Sequence, residues 1–146
     1  NINSKYFVIF EDDIYLNKNF KKELLYILQN APKDWDIIYL GGCYVKGKIT
    51  NNRFIIPTEY SYKYNLCAHG YLLNKKKLYK MIDIVKPIMV SFDVQLRNRF
   101  KNIKVYFYYK NLVNQNNNFK TTIAEKKRLD YHTRFHKNAN NITIIE

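Results

Sequence analysis

Three consecutive carboxylates, Glu11-Asp12-Asp13, follow directly on the run Tyr6-Phe7-Val8-Ile9-Phe10. Like charges this close repel, and withdrawing them from water is unfavourable without a compensating cation. Oxygen ligands suit a hard divalent ion. The plainer reading is an acidic turn leading into a helix, whose dipole favours acids near its N-terminus. Further side chains with chemical potential are scattered along the chain: His69, Asp93, Gln115, and the pair His132 and His136. Each has a structural reading too. His69 lies on an apolar strand, where a satisfied core histidine is common. Asp93 falls in the first turn of a helix, and Gln115 can serve backbone groups. Cys43 and Cys67 are far apart and form no C-x-x-C. They fit two buried free thiols in a reducing compartment, with a single disulfide as the alternative.

The elements that must position these residues read as alternating strands and helices. Tyr6–Phe10 is an unbroken apolar run, the pattern of a strand buried on both faces. In open α/β sheets ligands bind beyond the carboxyl ends of strands, and the acids sit at such an end. Asn17 or Asn19 caps a helix carrying Phe20, Leu24, Ile27 and Leu28 on one face, which Pro32 ends. Asp36–Leu40 is a second buried strand closed by Gly41-Gly42. The β-α-β order predicts a parallel pair with a crossover helix. Tyr44-Val45 and Phe54-Ile55-Ile56 predict short antiparallel strands. Tyr60, Tyr62 and Tyr64 alternate with polar residues, as in a half-exposed strand or an aromatic-lined loop. Cys67–Leu73 is a strand, and Asn74 caps a helix bearing Leu78, Met81, Ile82 and Val85. Pro87 stops that helix, and Ser91 caps the next, with Phe92, Leu96 and Phe100 inward. Ile103–Tyr109 is a further strand, and residues 120–146 read as a Lys-rich tail or helix.

With 146 residues, 47% of them hydrophobic, the chain fits one α/β domain with a real core. It begins with Asn, and a core strand starts almost at once, which suggests a piece of a longer protein. No apolar run approaches the about 20 residues that span a membrane. The net charge of +13 comes almost wholly from Lys, with Asn, Ile and Tyr also abundant. Arg, suited to bidentate recognition of guanine and phosphate, is scarce, so nucleic acid is not the expected partner. Attraction to a phosphate-bearing donor or peripheral contact with an anionic membrane remains. Asn141-Ile142-Thr143 has the N-glycosylation pattern, which arises readily by chance in an Asn-rich chain.

The order of these pieces resembles glycosyltransferase family 25, which contains bacterial lipooligosaccharide galactosyltransferases and collagen-type galactosyltransferases. A strand ends in Glu11-Asp12-Asp13, and Trp35-Asp36 leads a strand closed by Gly41-Gly42. Ala68-His69-Gly70-Tyr71-Leu72-Leu73 runs into a Lys-rich helix. Asp93 follows Pro87, and Leu112-Val113-Asn114-Gln115 precedes Thr121-Thr122-Ile123. The resemblance spans about Phe7 to Ile123. It gives residues 1–123 as the catalytic portion and 124–146 as a peripheral segment. The family's further β-α-β portion ahead of the acids is absent here. The resemblance implies a GT-A-like, Rossmann-like mixed sheet flanked by helices, as a partial domain. It implies an inverting transfer of galactose or glucose from a UDP-sugar, with Mn²⁺ or Mg²⁺, to a glycan, lipid-linked or hydroxylysine-type acceptor, as in lipopolysaccharide biosynthesis. Side chains alternate on an extended strand, so Glu11 and Asp13 face one way. Asp13 with Glu11 then becomes the metal pair, Glu11 also lying near the ribose, and Asp12 replaces Glu11 if the chain turns sharply. Asp93 takes the general-base role. His69, Gly70 and Gln115 are expected around the donor, and His132 or His136 could add a late metal ligand. A cytoplasmic, membrane-peripheral location (host cytoplasm or virion for a viral chain) is the matching expectation. The alternative function is a non-catalytic glycan- or anion-binding remnant.

Overall fold

A computed structural model describes residues 4–64, 67–90, 92–116 and 142–145. The strands are β1 (Tyr6–Phe10), β2 (Ile14–Leu16), β3 (Ile37–Tyr39), β4 (Val45–Ile49), β5 (Phe54–Pro57), β6 (Gly70–Asn74), β7 (Val105–Tyr108), β8 (Val113–Gln115) and β9 (Ile142–Ile144). The helices are α1 (Phe20–Asn30), α2 (Glu59–Tyr64), α3 (Leu78–Val85) and α4 (Phe92–Asn98). Seven strands form one mixed sheet in the order β1-β6-β3-β7-β5-β4-β9, while β2 and β8 form a separate antiparallel ladder.

The periodic apolar faces explain the layers. On α1, Leu24, Ile27 and Leu28 fall on one side and pack with Trp35, Ile38, Leu40, Leu72 and Tyr108. Met81 of α3 and Leu96 of α4 cover the other face of the sheet, over Ile37, Tyr39, Tyr71 and Phe107. Helices on both faces of a mixed sheet give the expected α/β architecture. β3 has Ile37, Ile38 and Leu40 at 0% exposure, as its unbroken apolar run predicts.

Several expectations are corrected. β1 is not buried on both faces. It is an edge strand, with Val8 and Phe10 each 39% exposed. Nor are β1 and β3 neighbours. They run in the same direction, but β6 lies between them, antiparallel to both. Tyr60, Tyr62 and Tyr64 belong to helix α2 rather than a strand. In a helix Tyr60 and Tyr64 share a face, and their ring centroids lie 4.6 Å apart, while Tyr62 packs against the core. Asn74 caps a short 3₁₀ turn at Lys75–Lys77 ahead of α3, its Oδ1 accepting from the Lys76 amide at 3.1 Å. Cys43 and Cys67 are not free thiols. They form a disulfide, with Cα atoms 5.6 Å apart. β9 pairs in parallel with β4, which draws part of the segment 124–146 into the sheet. Ser91, Thr121-Thr122-Ile123, His132, His136 and Asn141 lie outside the described residues.

One buried charge ties the start of β3 to its surroundings. Asp36 is 1% exposed, and its Oδ2 accepts from Lys80 Nζ at 3.0 Å and from the Lys104 amide at 2.9 Å. Lys77 Nζ lies 4.0 Å from Oδ1. The Asp36 backbone accepts from the Asn74 amide and donates to the Lys104 carbonyl. The acid of the Trp35-Asp36 pair is therefore structural. It joins β3, the approach to β7, the end of β6 and the α3 segment.

Candidate functional site

The acids stand where β1 leaves the sheet. Beyond β3, the Leu40 amide donates to the Gly70 carbonyl, and the Leu40 carbonyl accepts from the Leu112 and Val113 amides. The backbones approach closely because Gly41 and Gly70 carry no side chain. A Cβ on Gly41 would fall onto the Val113 carbonyl oxygen and lie 3.2 Å from His69 Cδ2. A Cβ on Gly70 would meet the Val113 side chain at 2.7 Å. Gly70 thus makes room for β8. The next residue, Gly42, is held by the Asn111 amide, whose Oδ1 accepts from the Gly42 amide at 3.1 Å and whose Nδ2 donates to its carbonyl at 3.3 Å.

This packing brings residues distant in sequence to one end of the sheet. The Glu11 amide donates to the His69 carbonyl at 3.1 Å, and Glu11 Oε2 lies 3.7 Å from His69 Nδ1. His69 is 5% exposed, whereas the Glu11 side chain is 43% exposed. Of this pair, Glu11 is therefore the member that reaches solvent. His69 Nε2 points the other way, 4.0 Å from Cys43 Sγ. Asp12 is exposed in the turn between β1 and β2. Asp13 begins the β2–β8 ladder, where Gln115 Nε2 donates to Asp13 Oδ2 at 2.6 Å and the Asn116 amide donates to the Asp13 carbonyl. Gln115 and Asp13, 102 positions apart, thus meet as one unit.

Asp93 stands half-buried in the first turn of α4, its Oδ1 accepting from the Val94 amide at 2.8 Å. The loop before it is shaped by buried Gln95, whose Nε2 donates to the carbonyls of Val85 and Pro87 and whose Oε1 accepts from the Met89 amide. An aromatic row links α4 to the sheet. Phe92 stacks on Tyr71 at 6.2 Å, Tyr71 lies 5.9 Å from Tyr39, and Tyr39 stacks on Phe107 at 4.7 Å. Burial pushes the Tyr71 phenol up to about 12, with the Glu11 charge adding to it. Burial likewise raises Tyr39 well above its ordinary value, helped by Tyr71, Asp93 and Glu11. Both carboxylates therefore act on the same buried phenol. Tyr39 and Tyr71 are buried phenols near these carboxylates that sequence reading passed over. Within apolar strand runs they read as core, and only the register that sets Tyr39 opposite Tyr71 reveals them as a pair.

Glu11 and Asp13 supply only oxygen atoms, and Glu11 reaches solvent. That donor set fits Mn²⁺ or Mg²⁺. Among the described residues, a different group brings three potential ligand atoms together, buried Cys43, Cys67 and His69. As a disulfide with a histidine it is not a manganese site.

Comparisons with known proteins bear on the family of the chain. The model of glycosyltransferase family 25 (LPS biosynthesis protein) matches residues 1–96. The procollagen galactosyltransferase 1-A of Xenopus laevis is 32% identical over 98 residues, covering 58% of this chain. The chain spans only 16% of that relative's length. With the family model covering residues 1–96 of 146, this chain belongs to glycosyltransferase family 25.

Proposed function

We propose that this chain carries the donor-binding portion of a metal-dependent, inverting glycosyltransferase. It would move galactose or glucose from a UDP-sugar to a glycan, lipid-linked or hydroxylysine-type acceptor. The observation that carries the reading is the meeting of Glu11–His69 and Asp13–Gln115 at the end of β1, on a chain of this family.

Asp13 and Glu11 would hold Mn²⁺ or Mg²⁺, which, when bound, neutralises the charge that a diphosphate leaving group develops. Gln115 fixes one oxygen of Asp13 and leaves the other for a ligand. His69 holds Glu11 from behind. Asp93 would take the proton of the acceptor hydroxyl as its oxygen attacks the anomeric carbon. The ring contacts of Phe92, Tyr71 and Tyr39 would brace the first turn of α4 that carries this carboxylate.

Titration of UDP into the purified chain, with and without Mn²⁺, tests the reading by calorimetry. The expected result is micromolar binding that requires Mn²⁺ and disappears in Asp13→Ala. Binding that ignores both the metal and the substitution would assign the chain to anion binding without a donor site.

A further inference from the structure

We propose that Cys43, Cys67 and His69 form a redox-gated site for a zinc-class cation, closed as the disulfide and opened by a dithiol reductant. The site goes beyond the donor reading, although it shares His69 and Glu11 with it. Its three candidate ligand atoms, two sulfurs and a ring nitrogen, all lie within 4.8 Å of one another. The residues are 3%, 7% and 5% exposed. Two thiolates and an imidazole are the donors that zinc prefers, and carboxylate-selective ions such as Mn²⁺ do not. A tetrahedral site with Zn–S of about 2.3 Å and Zn–N of about 2.0 Å sets its ligand atoms roughly 3.5–3.8 Å apart. Cys43 Sγ and His69 Nε2 already stand at 4.0 Å. Breaking the sulfur–sulfur bond lets the sulfurs separate toward the spacing that a metal needs, with no change in the Cα positions implied.

A second observation points the same way. Zinc-bound histidines usually present their other ring nitrogen to a carboxylate, which fixes the tautomer and strengthens the donor. His69 has this arrangement, with Nε2 toward Cys43 and Nδ1 3.7 Å from Glu11 Oε2. The Gly41 backbone lies beside the His69 ring, where an added Cβ would stand 3.2 Å from Cδ2, so the ring has little room on that side. The ligands are anchored on two segments: Cys43 on the turn after β3, and Cys67 and His69 on the entry to β6, which the Glu11–His69 backbone bond ties to the end of β1.

The chemistry balances. A dithiol attacks the disulfide through a mixed disulfide and leaves as its own cyclic disulfide, and two electrons and two protons convert Cys43 and Cys67 to thiols. Zn²⁺ then displaces the two thiol protons to solvent, and a water fills the fourth position. A small-molecule disulfide reverses the exchange: it takes the two electrons, leaves as two thiols, and the re-formed Cys43–Cys67 bond expels the ion.

The test uses the full chain, oxidised and dithiol-reduced, titrated with Zn²⁺ against a chromogenic chelator and with Co²⁺ as a spectroscopic stand-in. The reduced chain is expected to take up one equivalent, with a thiolate-to-cobalt charge-transfer band, and the oxidised chain none. Glu11→Ala should weaken uptake on the order of 10–100-fold. His69→Ala keeps the disulfide intact and should lose the tetrahedral cobalt spectrum once reduced. Cys43→Ser with Cys67→Ser should abolish uptake. Asp13→Ala should leave uptake unchanged while abolishing Mn²⁺-dependent UDP binding, which separates the two readings. Absence of uptake by the reduced chain overturns the proposal. So does uptake indifferent to His69→Ala, and that variant decides the matter if the double serine variant does not fold.

Discussion

Replacing Asp36 by Ala should lower stability by about 3 kcal/mol. The carboxylate is 1% exposed and serves three donors: Lys80 Nζ at 3.0 Å, the Lys104 amide at 2.9 Å and Lys77 Nζ at 4.0 Å. Orphaning the Lys104 amide beside β7 costs about 1–3 kcal/mol. The two lysine side chains are 46% and 45% exposed and regain water, so their loss adds only about 0.5–1 kcal/mol. Each kcal/mol moves the midpoint of a chain this size by about 3 °C, so Tm should fall by about 10 °C. Asp36→Asn keeps an acceptor for the Lys104 amide and should fall by about half as much. Lys80→Ala leaves the carboxylate its amide partner and Lys77, and should lie between wild type and Asp36→Ala. Thermal unfolding followed by circular dichroism reads all three. A fall below about 3 °C for Asp36→Ala, or an equal fall for Asp36→Asn, would refute the reasoning, because the backbone bond would then carry no weight.

Gly41→Ala should cost about 1–3 kcal/mol by pushing Val113 away, and should weaken Mn²⁺-dependent UDP binding by loosening Gln115 from Asp13; calorimetry and denaturant unfolding check both effects. Reducing the Cys43–Cys67 disulfide, which spans 24 positions, should lower metal-free stability by about 3.5 kcal/mol on chain entropy, read from urea midpoints with and without dithiol. Tyr71 holds its proton to about pH 12 in the fold, whereas the unfolded chain releases it near the ordinary value of 10. The stabilisation this gives is complete below about pH 10 and is lost as pH rises from there through about 12, so Tyr71→Phe should flatten the alkaline fall in urea midpoint.

Much of the fold could be read from side-chain periodicity. The stripe of α1, the apolar run of β3 and the helical spacing of Leu78 and Met81 each state which face is buried. What periodicity does not encode is the neighbour. The run Tyr6–Phe10 looks like a central strand, yet among the described residues its hydrogen-bond partner lies on one side only, because β6 enters from 60 residues later and claims the place beside β3. The tyrosines of α2 fit both periods over so short a stretch, and the Tyr60–Tyr64 contact decides for the helix. At the site, Glu11, Asp13, His69, Asp93 and Gln115 were legible as chemistry, but not as pairs. The Asp13–Gln115 bond and the Cys43–Cys67 disulfide depend on β8 and β6 folding back across the glycines, a tertiary fact without a local signature. Asp36 was visible as a landmark, and only its burial against two lysines shows that it serves the frame.

The position of β1 gives the acidic triplet another consequence. An edge strand offers a row of unpaired backbone groups to any other chain, and here that strand also exposes Val8 and Phe10. Glu11, Asp12 and Asp13 place concentrated negative charge at the end of this edge, where a second copy pairing in parallel would have to align its own acids in register. Charges flanking an apolar strand act as gatekeepers against self-association. Any substitution that neutralises the triplet therefore changes colloidal behaviour along with ligand affinity, and light scattering belongs beside every binding curve measured on such a variant.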